Sequence, residues 1–290
     1  MTHRHHIIIN SIKMGIRSLN KYLYDNCSRS SIRRISIEDI RNRTIVIDTS
    51  IYIYKYLKDS ALKENFEKLI QVFIKCQVRP IFVFDGKSPE QKSELRKERS
   101  QRKRDAESEY DSRVKDDNQS QQKMKELRNK FIRVTPTDVL MLKNMMTQYN
   151  IEFIQAEWEA DSVCANLVKS GVAWACLSDD MDMLVYGCGR VIREFSIHSL
   201  SGQLYTLNTI LRELKMSFNA FRDIMVISGT DYNITNSTDV SLYRTLSLYN
   251  DYLHRKSYDY EYDSFYVWLL KNTDYITDYD ELMKIHKVFC

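Results

Sequence analysis

The feature that most constrains the fold is a series of short apolar segments that each end in an acidic residue. The β-branched run from Thr44 to Ile47 is followed directly by Asp48, and the run from Pro80 to Phe84 is followed by Asp85. An amphipathic helical pattern, Glu64 to Cys76, separates the two runs. Because strands that alternate with helices form parallel sheets, the sequence predicts an α/β fold with a mostly parallel central sheet flanked by helices.

The acids that follow these strands are expected to meet at one edge of the sheet. The carboxyl ends of parallel strands lie together, and ligands bind there. A third predicted strand, Ala173 to Leu177, leads into Asp180 and Asp182, and Glu157 and Glu159 open the predicted helix before that strand. Any one of these acids alone is more simply a turn residue or a helix cap. The set as a whole favours a functional site.

A group of acids at one place predicts a site for divalent cations. Neighbouring carboxylates repel each other and resist ionisation, and bound cations relieve this repulsion. Oxygen ligands suit Mg²⁺ or Mn²⁺ rather than zinc. Two ions about 3.5–4 Å apart could clamp the attacking and leaving oxygens of a phosphodiester.

The segment from Lys87 to Lys130 is almost entirely polar, so it is either a disordered linker or a set of long solvent-facing helices. It contains no glycine and is rich in good helix formers, which favours helices. Four cations in it are spaced so that they share one helical face: Lys92, Arg96, Arg99 and Lys103. The alternatives for this face are a solvated charged helix and a basic targeting run.

Composition and cysteine spacing exclude several other classes of protein. The formal net charge of +4 is too small to indicate nucleic-acid binding by itself. The six cysteines are scattered without a CxxC pair, which is typical of reduced thiols in an intracellular protein. No apolar run approaches the roughly 20 residues that span a membrane. From about Asn208 onward the pattern predicts helices.

Six motifs, in order over residues 14 to 235, give the sequence its resemblance to a known family. They are Met14-Gly15-Ile16, Val46-Ile47-Asp48-Thr49-Ser50, Val83-Phe84-Asp85-Gly86-Lys87, Glu157-Trp158-Glu159-Ala160-Asp161, Ser178-Asp179-Asp180-Met181-Asp182 and Gly229-Thr230-Asp231-Tyr232. With them the chain resembles the flap endonuclease family of structure-specific 5′ nucleases. The resemblance implies a PIN-like nuclease core.

The resemblance also implies how the chain is divided. We expect an N-terminal extension at 1–13, a nuclease core at 14–237, and a C-terminal helical region at 238–290. Within the core, residues 87–135 would form the helical arch that the family inserts over its active site.

The resemblance assigns roles to individual residues. The first metal ion would be held by Asp48, Asp85, Glu157 and Glu159, and the second by Asp180, Asp182 and Asp231. The arch residues Lys92 and Arg99 would contact the scissile phosphate as catalytic groups. Further DNA contacts would come from Gly15, Tyr54, Arg96 and Lys103. For Tyr54 a core or surface tyrosine is an equally good interpretation, since the chain has 19 tyrosines.

The implied function is a DNA endonuclease and 5′ exonuclease that cuts flaps, branches or 5′ ends with two Mg²⁺ ions, for which Mn²⁺ can substitute. Its partner would be branched, flapped or nicked DNA, with no membrane, in replication, repair or recombination. We expect a monomer in the nucleus, or in the host nucleus for a viral member. The alternatives are a non-catalytic DNA-binding relative and an RNA-cleaving nuclease.

Three features depart from the family pattern. The segment 233–239 has no glycine where the family has a glycine-rich hairpin, which puts the grip on duplex DNA and the family's potassium site in doubt. Thirteen residues precede Met14, so we expect that Met14 is a functional start or that residues 1–13 stay disordered outside the site. No glutamine follows Gln203, so the family's sliding-clamp box is not seen.

Overall fold

The structure is a computed structural model that describes residues 16, 18–88, 93–114, 121–230, 232, 240–256, 264–276 and 278–290. The strands are β1 (Ile32–Ser36), β2 (Thr44–Asp48), β3 (Arg79–Phe84), β4 (Glu152–Gln155), β5 (Ala175–Leu177), β6 (Arg190–Ser196) and β7 (Ser201–Thr206). The helices are α1 (Leu19–Asn26), α2 (Thr49–Lys58), α3 (Leu62–Lys75), α4 (Ser93–Val114), α5 (Gln121–Lys130), α6 (Pro136–Gln148), α7 (Ala160–Lys169), α8 (Asp182–Val185), α9 (Leu207–Leu214), α10 (Phe218–Ile227), α11 (Leu242–Lys256), α12 (Phe265–Asn272) and α13 (Tyr279–Val288).

All seven strands form one sheet, in the order β1-β7-β6-β5-β2-β3-β4. The five strands from β6 to β4 run parallel, and β7 and β1 add to the β6 side in antiparallel fashion. The prediction of a mostly parallel sheet is therefore confirmed. Strands β1 and β7 were not predicted from the sequence. In β1 the exposed Arg33 and Arg34 interrupt the apolar signal between Ile32 and Ile35.

Helices cover both faces of the sheet, because successive strand residues point to opposite sides. In β2, Ile45 and Ile47 pack into an apolar cluster with α2, α3 and α6. Val46, between them, packs into a second cluster with α1 and the helices from α7 to α13. The fold thus has three layers, with the sheet in the middle. This arrangement leaves the carboxyl edge of the parallel strands as the place where a site can form.

The polar segment that could have been a linker is helical where it is described, as α4 and α5. The following helix, α6, begins with a capping box. Thr135 accepts a hydrogen bond from Asp138 N through its hydroxyl, at 3.1 Å, and the Asp138 carboxylate accepts one from Thr135 N, at 2.8 Å. Such reciprocal capping satisfies two backbone donors at a helix start.

The first helix begins at Leu19, after Ser18, whose backbone is left-handed with φ 67°. One predicted helix start is wrong. The seventh was expected from Glu157 but begins at Ala160, with Glu159 as its N-cap residue. Glu157 and Glu159 therefore lie in the loop before α7 rather than in the helix itself.

The six cysteines are all free thiols, in agreement with the expectation from their spacing. No described helix combines the length and the apolar character that crossing a membrane requires.

A set of hydrogen bonds to Glu213 joins the segment before β1 to α9. The Glu213 carboxylate accepts hydrogen bonds from Ser28 N at 2.7 Å and from the hydroxyls of Ser28, Ser30 and Ser31 at 2.6, 2.6 and 2.8 Å. The bonds from Ser28 and Ser30 contribute most, and together the set lowers the pKa of Glu213 to about 2. The ionised form of this carboxylate is therefore favoured in the folded protein.

We predict that Glu213→Gln lowers the thermal midpoint at pH 7 and that the difference from the original protein narrows as the pH falls. A carboxyl whose folded pKa is depressed stabilises the fold above its unfolded pKa. That contribution declines between pH 4.5, the model-compound value, and about 2. Thermal unfolding of both proteins between pH 7 and pH 3 measures the difference. Glu281→Gln, which removes an exposed carboxylate paired with Lys284, is the control. A constant difference at all pH values would contradict the role given to the Glu213 charge.

A candidate metal centre at the edge of the sheet

Asp48 occupies the last position of the central strand β2 and is also the N-cap residue of α2. It is paired in register with Val83 of β3, and its side chain is buried. The Ser178 hydroxyl donates a hydrogen bond to Asp48 Oδ2 at 3.2 Å. Because Ser178 follows β5 directly, this bond joins the ends of two neighbouring parallel strands.

Asp85 follows β3, on the other side of β2, and is exposed. The Ser50 hydroxyl, in the first turn of α2, donates a short hydrogen bond to Asp85 Oδ2. Ala160 N, at the start of α7, donates to Asp85 Oδ1 at 2.8 Å. The carboxylate is thus held between the beginnings of two helices, where backbone N–H groups favour negative charge.

Asp180 and Asp182 follow β5 and are both buried. The Ser178 hydroxyl accepts from Asp180 N at 3.1 Å, and Asp180 Oδ1 accepts from Asp182 N at 2.9 Å. Asp179, which directly precedes Asp180, faces elsewhere, since its Oδ1 accepts from Glu194 N at 2.6 Å. That contact ties Asp179 to β6 and leaves it outside the acidic cluster.

Glu157 and Glu159 are brought to the same edge by a clamp between two backbone segments. Gly86 N donates to Trp158 O at 2.5 Å, and Lys87 N donates to Glu157 O at 2.9 Å. A Cβ at Gly86 would stand 2.1 Å from Ala156 O, so only glycine permits this approach. The loop that carries both glutamates is therefore fixed against the segment that follows β3.

The Glu159 carboxylate is also held from the other side. The Tyr232 hydroxyl donates a short hydrogen bond to Glu159 Oε2 and lies 3.2 Å from the Tyr186 hydroxyl. The ring of Phe289, after α13, packs against both tyrosine rings, with centroids 4.6 and 5.5 Å away. The helical part after residue 206 thus reaches the site through Tyr232, with Phe289 packed against the Tyr232 ring.

The electrostatics of the edge are those of crowded like charges. Burial raises the pKa of Asp48 well above its usual range, and the negative charges of Asp85 and Asp180 raise it further, against a smaller lowering by the bond from Ser178. Within the described part of the chain, no group of three or more acidic, histidine or cysteine side chains is arranged closely enough to hold a metal ion. Asp231, the seventh expected ligand, lies outside that part. Metal ligation therefore stays a prediction.

Cationic side chains of α4 lie on the Asp85 side of the edge. Lys103 Nζ stands 5.2 Å from the centre of the Tyr54 ring. Partial burial and the charge of Asp85 raise the pKa of Tyr54, and the charge of Arg99 opposes this rise. Tyr54 is therefore within the electrostatic influence of both Asp85 and Arg99. Arg96 is exposed to solvent.

Two of the predicted DNA-contacting or catalytic residues, Gly15 and Lys92, lie outside the described residues. Other residues at the edge have contacts that the sequence analysis did not foresee, although all of them lie inside its motifs: Ser50, Gly86, Trp158, Ser178 and Tyr232. Position in a motif was the only signal available for them, because their contacts join segments far apart in the chain.

Two known family profiles match the segments of the chain that carry the acidic edge. The profile described as XPG N-terminal domain matches residues 14–106, and the profile described as XPG I-region matches residues 150–231. A flap endonuclease 1 from Methanococcus aeolicus is 30% identical over 219 residues, which are 70% of this chain and 66% of the relative. A flap endonuclease 1 from Leishmania braziliensis is 29% identical over 242 residues, which are 76% of this chain and 60% of the relative. The chain thus spans less than two thirds of the length of these curated relatives.

Solved structures share the fold. The catalytic core of Rad2 in complex with a DNA substrate superposes with a TM-score of 0.65 at 19% identity, over 95% of this chain and 85% of that one. Flap endonuclease-1 from Methanococcus jannaschii superposes with a TM-score of 0.60 at 23% identity, over 89% of this chain and 81% of that one. At these identities the likeness supports the architecture.

We predict that Asp48→Asn raises the thermal midpoint of the metal-free protein at pH 8. The substitution removes a buried charge but keeps an oxygen that can accept from Ser178. Each unit by which the pKa of Asp48 is raised corresponds to about 1.4 kcal/mol of stability lost on ionisation. A group with a raised folded pKa contributes its stability at low pH and loses it as the pH rises. The gain should therefore shrink toward pH 4.

Thermal unfolding in EDTA at pH 8 and pH 4 measures this difference. Asp179→Asn is the matched control, since that side chain faces β6 rather than the acidic edge. A lower midpoint for Asp48→Asn than for the original protein at pH 8 would contradict repulsion at the edge.

Proposed function

The chain belongs to the flap endonuclease family, and we propose that it is a metal-dependent DNA nuclease that cuts a strand at a flap, a branch or a 5′ end. The observation that carries this proposal is that Asp48 and Asp180 are buried at the ends of neighbouring parallel strands, where the Ser178 hydroxyl bonds to both residues. Burying like charges together is costly unless a cation joins them. The name of the relatives, flap endonuclease 1, supports nuclease activity, and the Rad2 catalytic core was solved in complex with a DNA substrate.

The donor set fits hard divalent cations. Every described side chain of the proposed centre is a carboxylate: Asp48, Asp85, Glu157, Glu159, Asp180 and Asp182. Such oxygen donors suit Mg²⁺, with Mn²⁺ as a substitute. We propose that the first ion is held by Asp48, Asp85, Glu157 and Glu159. The second is held by Asp180, Asp182 and Asp231. When bound, these ions supply Lewis-acid activation of water and stabilise the charge that develops on the phosphodiester.

The chain's own contribution is to fix the carboxylates before DNA arrives. Ser50 and Ala160 N hold Asp85, Ser178 joins Asp48 to Asp180, and Tyr232 holds Glu159. Ligands that are oriented in advance by hydrogen bonds bind metal more tightly.

Arg99 and Lys103 supply the opposite charge at the Asp85 side of the edge. A phosphodiester near the acids would be repelled unless cations held it, and cationic side chains position the DNA backbone without reading its sequence. We propose that Arg99, together with Lys92, holds the scissile phosphate, and that Arg96 and Lys103 contact neighbouring phosphates. Tyr54, under Lys103, would present its partly buried ring to the same strand.

A panel of labelled DNA structures tests the proposed function. Flap, bubble, nicked and fully paired duplexes are incubated with the protein in Mg²⁺ and, separately, in EDTA. We expect cutting of at least one branched or nicked structure in Mg²⁺ and none in EDTA. Binding of all the structures without cutting in Mg²⁺ would instead favour a non-catalytic DNA-binding relative. Cutting of matched RNA strands only would favour an RNA-cleaving nuclease.

We predict that Asp85→Ala and Asp180→Ala each lower the cutting rate by on the order of 100-fold or more while leaving DNA binding largely intact. Each substitution removes a proposed metal ligand, and loss of negative charge also lessens repulsion of the phosphates. Single-turnover cutting and binding in EDTA are measured for both variants. Asp179→Asn is again the control and should keep its activity. Activity within about tenfold of the original protein in both variants would remove the acids from the proposed centre.

We predict that Arg99→Ala lowers the single-turnover rate more than it lowers affinity and reduces the salt slope of DNA binding by about one. Arg99 shares the helical face of Lys103 near Asp85. The matched control is Arg102→Ala, since the Arg102 side chain is turned away in an ion pair with Glu98 at 2.7 Å. An equal loss of affinity in the two variants, with no effect on rate, would make this face a general basic surface.

A further inference from the structure

Trp158 is a large exposed aromatic side chain in the loop that carries Glu157 and Glu159 to the acidic edge. It stands between Glu157 and Glu159, and 49% of its surface is exposed. The chain has three tryptophans, and the other two are accounted for within the fold. Trp268 is buried, and Trp174 lies under the guanidinium groups of Arg43 and Arg190 at 5.8 and 5.1 Å. Trp158 is therefore the tryptophan that a ligand at this edge would meet.

The exposure of Trp158 does not arise from a loose loop. Its carbonyl accepts from Gly86 N at 2.5 Å, and the preceding carbonyl, of Glu157, accepts from Lys87 N at 2.9 Å. On the other side Ala160 N donates to Asp85 at 2.8 Å. The backbone on both sides of Trp158 is thus fixed to the segment after β3. An aromatic ring presented on a fixed backbone binds a flat partner without first losing much conformational freedom.

The charges around Asp85, to which the backbone beside Trp158 is hydrogen-bonded, indicate what this flat partner is. Arg99 and Lys103 lie on the Asp85 side of the edge and would attract phosphate groups. A ligand that combines phosphate with a flat aromatic face is a nucleotide. The faces of bases are hidden inside a continuous double helix, so a base that reaches Trp158 must be unpaired or unstacked. Stacking on an aromatic side chain tolerates any base, because every base has a π-face.

We propose that Trp158 is a stacking platform for an unpaired nucleobase of the DNA strand held at the carboxylate edge. Through this contact Trp158 would favour DNA with an unpaired nucleotide next to the bound phosphate over continuous duplex. The inference rests on the proposed function for the identity of the ligand as DNA. It does not depend on cutting, since stacking requires neither metal nor hydrolysis.

Binding to DNA with and without the base tests the contact directly. The probes are a flap, the same flap with an abasic nucleotide at the junction, and a fully paired duplex, with binding followed by fluorescence anisotropy in EDTA. We expect Trp158→Ala to weaken binding of the intact flap by about tenfold, the loss typical of one base stack, and to leave duplex binding unchanged. Removing the base should weaken binding by the original protein by the same factor, but should have no effect on binding by Trp158→Ala.

Two further variants separate stacking from a general change of structure. Trp158→Phe keeps an aromatic face and should restore most of the flap affinity. Trp174→Phe is the matched control and should bind all probes as the original protein does. Binding of the intact flap should quench tryptophan fluorescence in the original protein and in Trp174→Phe, and this quenching should be absent in Trp158→Phe.

The results also distinguish failure of the inference from failure of the proposed function. Base-dependent binding without any cutting would support the stacking contact and contradict the nuclease activity. Cutting that Trp158→Ala leaves unchanged, with no difference between intact and abasic flaps, would overturn the stacking contact alone. Equal weakening of flap and duplex binding in Trp158→Ala would also overturn it, because a stacking platform discriminates between them.

Discussion

Repulsion between Asp48 and its acidic neighbours, Asp85 and Asp180, is the constraint that the other contacts of the sheet edge must offset. The parallel register makes this repulsion unavoidable, because β3, β2 and β5 are adjacent and each carries its acid at or just beyond its carboxyl end. A fold that needed only stability would gain from an apolar or amide side chain at the buried Asp48 position. This cost is the reason for proposing a cation between the acids, which connects the sheet topology to the proposed chemistry.

The surrounding residues keep the repelling groups in place. Ser178, which follows the neighbouring strand β5, donates to Asp48, and Ser50, in the first turn of α2, donates to Asp85. Serine side chains are short, so these hydrogen bonds add no long flexible side chains. Gly86 lets the loop of Glu157 and Glu159 lie against the segment after β3. Arg99 and Lys103 of α4 lie on the Asp85 side of the cluster, so an acidic region and a basic region are next to each other. A phosphodiester with bound cations is complementary to that pair of regions.

The sequence predicts the parts of this arrangement that depend on local pattern. Strands that end in Asp48 and Asp85 are visible because an apolar run and a following acid are neighbours in the chain. The contacts of Asp85 with Ala160 and of Glu159 with Tyr232 were not predictable, since each joins segments more than 70 residues apart. The antiparallel strands β1 and β7 were missed because Arg33 and Arg34 interrupt the apolar residues of β1, and β7 begins with Ser201, Gly202 and Gln203. Pairing with neighbouring strands decides their structure.

The position of bound cations is the most direct test of a metal centre at this edge. Crystals grown without metal are soaked in Mn²⁺, and the anomalous scattering of manganese locates each ion. We expect two manganese peaks about 3.5–4 Å apart, within coordination distance of Asp85 and Asp180. Ordered acids with no manganese between them, or manganese bound only elsewhere on the protein, would contradict it.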